Sequence, residues 1–180
     1  MYGILIVFLT GFIIKFADMI ADDGLKAGNA LTYFFGSFYG FLLAFIISAN
    51  PMWAELGIAV ILGVLLTGKI DHPVHYSGLG SFMFFTAVFG LNPVNLIVLL
   101  VFIGGASVDE IGNNLVDRKR IKGILGKFFE CRLTMDVVAF AVSLLTGYWA
   151  IFFGMLAFDA GYTYVYRDVV KRKIISMGRQ

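Results

Sequence analysis

Of 180 residues, 59% are hydrophobic and 14% are charged; the mean hydropathy is +0.87 and the formal net charge +2. Soluble domains carry about 25% charged residues, so the composition excludes a soluble globular protein, offers no basic surface of the kind nucleic acid requires, and calls for an integral membrane protein. A single cysteine, Cys131, excludes an internal disulfide.

The apolar runs recur along residues 1–180 without a low-complexity linker, which predicts one transmembrane domain, all-α. The opening MYGILIVFLTGF lacks a basic n-region and a small-residue cleavage site, and is expected to be a permanent span over residues 2–17. Its last turns place Lys15, Asp18 and Asp22 on one helical face, with Lys26 continuing the row, before Gly24 and Gly28 break the helix. A second span over 30–49 stops at Asn50-Pro51, a turn signal, and a third reaches Gly68. The loop KIDHPVHYS follows. Residues 78–106 and 133–166 are each too long for one span and carry turn signals near their centres, Leu91-Asn92-Pro93 and Thr146-Gly147, so each is read as two short helices.

The positive-inside rule tests that division. With seven spans, the segments 15–29, 69–77, 108–132 and the tail from Arg167 fall on one side and hold all 14 lysines and arginines. The expected architecture is therefore a polytopic bundle of about seven short transmembrane helices in the cell membrane, N-terminus out and C-terminus in. The same map brings eleven of the 12 acidic residues and both histidines toward the inner face, Glu55 being the exception.

The segment Ser107–Arg132 is a polar island with ten charged residues between two apolar segments. On a helix its Asp109, Glu110, Asn113 and Asp117 share a face and offer oxygen ligands to a hard cation such as Mg²⁺. Asp18 and Asp22 would add to that metal set. Lys15, Lys69, Arg118, Lys119 and Arg132 are the candidate phosphate-binding cations. His72, His75 and Asp71 are the candidate catalytic groups, the histidines because their proton affinity suits acid–base work near neutral pH. Asp159, inside the last apolar run, is an intramembrane carboxylate and a functional candidate on that ground alone. Asp18, Asp22, Asp71, the Asp109–Asp117 stripe and Asp159 are expected to line one inward-open cavity. Gly36 and Gly40 form a GxxxG face for close helix packing.

The spacing Asp109-Glu110-x-x-Asn113-x-x-x-Asp117 is similar to the Asn-Asp-x-x-Asp-x-x-x-Asp signature of the UbiA-type intramembrane prenyltransferases, with acids and amide in a different order. That resemblance, over a short stretch of a shorter chain than theirs, implies magnesium and a prenyl pyrophosphate. The function expected from the sequence is a metal-dependent enzyme, a transferase or phosphohydrolase, acting on a phosphorylated lipid or isoprenoid at the cytoplasmic leaflet among membrane lipids. The alternatives are a small cation or proton-coupled transporter, as a homo-oligomer with Asp159 and Glu55 as stations, and a non-catalytic membrane scaffold.

Overall fold

The computed structural model describes residues 2–21, 25, 27–66, 70 and 72–165. Asp22, Lys26, Lys69, Asp71 and the basic tail from Arg167 lie outside the described residues. Among the described residues the structure is all-helical, with α1 (Tyr2–Ala21), α2 (Asn29–Ala49), α3 (Pro51–Leu66), α4 (Pro73–Phe89), α5 (Leu96–Asp117), α6 (Gly123–Glu130), α7 (Leu133–Thr146) and α8 (Trp149–Val165). Three of them, α1, α2 and α5, are long and apolar enough to cross a membrane. Large apolar side chains stand outward along the helices, among them Leu5 (64% exposed), Ile97 (75%) and Leu145 (85%). A surface of that kind suits lipid rather than water.

The turn signals act as expected. Asn50-Pro51 separates α2 from α3, the 78–106 run breaks between Phe89 and Leu96, and the 133–166 run breaks at Gly147, which holds φ +76° and closes α7. The Asp109–Asp117 stretch of the polar island lies within α5. α5 ends at Asp117, the chain turns, and an eight-residue helix, α6, precedes α7.

The chain forms two compact units, the first comprising the described residues of Met1–Phe45, His72–Phe89 and Leu156–Gln180, the second those of Ile46–Asp71 and Gly90–Met155. In the first unit, glycines let backbones touch. A Cβ at Gly11 on α1 would strike the Phe158 carbonyl of α8, and one at Gly161 on α8 would strike the Phe8 carbonyl of α1, so each helix presents its glycine to the other's backbone. Likewise Gly36 and Gly40 on α2 lie against Val74, Ser77 and the Gly78 carbonyl of α4, and Ser81 Oγ donates to the Ser37 carbonyl at 2.6 Å. The GxxxG face is thus used inside the chain. Phe34, Phe38, Phe41 and Phe45 of α2 run beside Phe85 and Phe89 of α4 in a chain of ring contacts.

In the second unit α5 is the central element, packing on α3, α6 and α7. Gly63 of α3 meets Ala106, Gly105 meets Met135 and Val138 of α7, and Gly112 meets the Phe129 ring of α6. The buried Trp53 lies against Gly154 and donates its indole N–H to the Ala150 carbonyl at 3.1 Å. Helix ends between elements are closed by side chains. Asn92 Nδ2 donates to the Ile47 and Ser48 carbonyls at 2.9 and 2.7 Å, Ser48 Oγ donates to Gly90, and buried Glu55 accepts from Asn95 N–H at 2.9 Å.

Because α2 and α4 meet backbone to backbone, Gly36→Ala is expected to cost about 1–3 kcal/mol from overpacking. Gly104→Ala has open space and should be neutral or slightly stabilising through helix propensity. Thermal unfolding of the two variants in one detergent makes the comparison; equal midpoints would contradict the close approach.

Candidate functional site

Lys15 and Asp18 stand one turn apart near the end of α1, an apolar helix in which ionisable groups need partners. The first unit supplies them from α8 and α4, with α2 behind. Tyr162 of α8 donates its hydroxyl to Asp18 Oδ2 at 2.5 Å, a length typical of O–H donation to a carboxylate. Lys15, 8% exposed, sets its ammonium over the Tyr162 ring at 5.2 Å, a cation–π contact. His75 of α4 brings Nε2 to 3.9 Å from Asp18 Oδ1, within the range of an ion pair and beyond that of a direct hydrogen bond. Tyr39 of α2 donates to the His75 carbonyl at 3.4 Å, and its ring lies tilted at 57° to the imidazole with centroids 6.4 Å apart. Lys15, Asp18 and His75, which the sequence puts in separate roles, form one cluster. Tyr39 and Tyr162 were not legible as members, although Tyr162 follows Asp159 by one helical turn.

A pocket of about 310 Å³ opens in the same unit, lined by Ile20, Leu25, Ala27, Asn29, Thr32, Tyr33, His72 and Pro73. Asn29 and Thr32 belong to the first turn of α2, and Pro73 is the first residue of α4. Proline suits that position, since the first N–H of a helix has no internal partner and the ring presets φ. His72 caps α4, its Nδ1 accepting from Val74 N–H at 3.3 Å and its carbonyl accepting from the N–H groups of His75 and Tyr76. Two helix N-termini, each equivalent to roughly half a positive charge, therefore border one pocket. His75 lies one turn further along α4 than His72.

The carboxylate stripe is used differently. Asp109 and Glu110, 2% and 4% exposed, lie on α5 in the second unit. Asp109 Oδ1 and Oδ2 accept from the backbone N–H groups of Thr134 and Met135 at 3.0 and 2.8 Å. These are first-turn amides of α7. Arg132, at the capping position of that helix, holds φ +53° and gives it no side-chain cap, so the cap comes from α5. Glu110 Oε1 takes Arg132 Nη2 at 3.1 Å. Asn113 is half-buried, while Asp117, Arg118 and Lys119 are exposed. Both Asp109 oxygens thus rest on amides and Glu110 Oε1 on a guanidinium. Among the described residues no three His, Cys, Asp or Glu side chains come together as a metal set. Asp18 and Asp159 belong to the first unit and the stripe to the second; Asp22 and Asp71 lie outside the described residues.

Set against protein families, curated proteins and solved structures, the chain matches none of them.

Asp109→Ala strips two first-turn amides of α7 of their acceptor and should destabilise the protein by about 1–3 kcal/mol. Asp109→Asn, which keeps one carbonyl acceptor, should cost less, and the exposed Asp117→Ala should stay within about 0.5 kcal/mol. Thermal unfolding in detergent ranks the three; a loss reproduced in the unaltered protein by a chelator would mean that Asp109 serves a cation instead.

Proposed function

We propose that the protein is a membrane-embedded enzyme acting on a phosphate- or pyrophosphate-bearing lipid or isoprenoid at the cytoplasmic leaflet of the cell membrane. In this reading the chain crosses the bilayer seven times through α1–α5, α7 and α8, N-terminus out and C-terminus in, with α6 at the inner surface. The observation that carries the reading is the pocket at which the N-termini of α2 and α4 meet beside His72. Paired helix N-termini favour an anion, and backbone N–H donors suit phosphate oxygens. The pocket stands at the ends of two largely apolar helices, where a lipid headgroup would arrive.

The chemistry asked of the chain is proton management. As water or another acceptor bonds to the reacting centre, the bond between the lipid and its phosphate or pyrophosphate breaks, and the leaving oxygen takes the bonding pair and then needs a proton or a compensating charge. His72 lines the pocket and meets the headgroup. His75 is the proton carrier, oriented by Asp18, which Tyr162 in turn holds; Lys15 adds positive charge to the cluster. Asp71 and Lys69 belong to the same proposal from outside the described residues. Arg132 is engaged by Glu110 and is not needed at the headgroup. Magnesium remains an expectation resting on Asp18 with Asp22; a bound ion would offset charge on the leaving phosphate.

The test is release of phosphate or pyrophosphate from prenyl and diacyl phosphate lipids by the purified full-length protein, with and without Mg²⁺. His75→Ala should lower kcat about 10²–10⁴-fold, as loss of a general acid–base does. His72→Ala should act mainly on KM. A protein whose thermal midpoint ignores pyrophosphate and these lipids, and which releases nothing from them, would refute the reading.

A further inference from the structure

The turn between α5 and α6, with α6 itself, carries cations that the proposed chemistry does not use. Arg118, Lys119, Arg120, Lys122 and Lys127 are all exposed, and among the described residues none forms an ion pair. Beside them α6 exposes Ile124 (91%) and Leu125 (56%). The helix has eight residues, too few to span a bilayer. Its other side is anchored, since the Phe129 ring lies on Gly112 of α5. An anchored short helix that turns aliphatic side chains outward among unpaired cations is built to lie in an interface, its apolar edge in the acyl boundary and its charges among headgroups.

The backbone adds a second observation. Lys119 holds φ +58°, a conformation unfavourable for a residue with a Cβ, whereas Gly123, also left-handed at φ +70°, has no Cβ to strain. Lys119 is exposed and forms no ion pair among the described residues.

We propose that Arg118–Lys127 is a docking surface for anionic phospholipid headgroups, which hold α6 in the plane of the leaflet and so fix the inner ends of α5 and α7. The argument is charge complementarity: five cations stand against Asp117 and Glu130, the acids at the segment's two edges. It needs a membrane but not lipid turnover, so it survives or fails independently of the enzymatic reading.

Cys131, exposed immediately after α6 and the chain's one cysteine, provides the probe. The full-length protein, labelled there with an environment-sensitive dye, is reconstituted in phosphatidylcholine alone and in phosphatidylcholine with phosphatidylglycerol. The anionic bilayer should shift the dye to the blue and shield it from an aqueous quencher, and added salt should reverse both effects. Lys119→Gly, which suits the left-handed backbone and keeps the fold, should weaken the phosphatidylglycerol response about fivefold, the effect of one cation near an anionic surface. Arg118→Gln, Arg120→Gln and Lys122→Gln combined should abolish it. Equal spectra in the two bilayers, or an undiminished response in the triple variant, would overturn the proposal. A response to soluble polyglutamate with none to phosphatidylglycerol would overturn it in favour of an acidic protein segment.

Discussion

A helix end in a medium without water leaves amides and carbonyls that nothing but the protein can satisfy. Much of the sparse polar content of this chain goes to that one need. Asn92 closes the carbonyls at the end of α2, Ser48 the Gly90 carbonyl after α4, Glu55 the amide that leads into α5, and Asp109 the first turn of α7. Ser143 serves both sides of the α7–α8 turn, donating to the Tyr148 carbonyl and accepting from Phe152 N–H. Each of these bonds allows a helix to stop within an apolar run. Short helices, and the breaks between them, follow from having a side chain available where the backbone ends.

That accounting separates two polar clusters that look alike in the sequence. The Asp109–Glu110 pair is acidic, buried and helical; Asp109 caps the start of α7 and Glu110 holds Arg132 just before it. The Lys15–Asp18–His75–Tyr162 cluster links side chains from three helices, with Tyr39 adding a fourth, and it shares its unit with a pocket at two helix N-termini. In that cluster the polar side chains engage one another rather than backbone ends.

The breaks were readable because proline and glycine signal turns locally: Asn50-Pro51, Asn92-Pro93 and Thr146-Gly147 each act within a few residues of their own position. The role of Asp109 was not readable. Helical spacing correctly put it on a face with Asn113 and Asp117, but its partners are the amides of residues 134 and 135, reached only after the chain turns twice and forms α6. That detour depends on left-handed backbone at Lys119 and Arg132, positions at which sequence gives no reason to expect it. Tyr162 escaped notice for a related cause: a tyrosine near a helix end suits an interfacial belt as well as it suits a carboxylate. The GxxxG face was visible on α2, while its partner, Gly78 and its neighbours on α4, was set by tertiary packing.

Trp53 gives the second unit an optical handle. The chain has two tryptophans; Trp149 is 41% exposed, whereas Trp53 is 7% exposed, with its indole bonded to Ala150 and its ring edge on Gly154. A Cβ at residue 154 would stand 3.0 Å from the indole nitrogen and press on it. Emission from Trp53 therefore registers whether the beginning of α8 is seated on α3, and with Trp149 replaced by phenylalanine that seating becomes a single-fluorophore signal that follows assembly of this unit in real time.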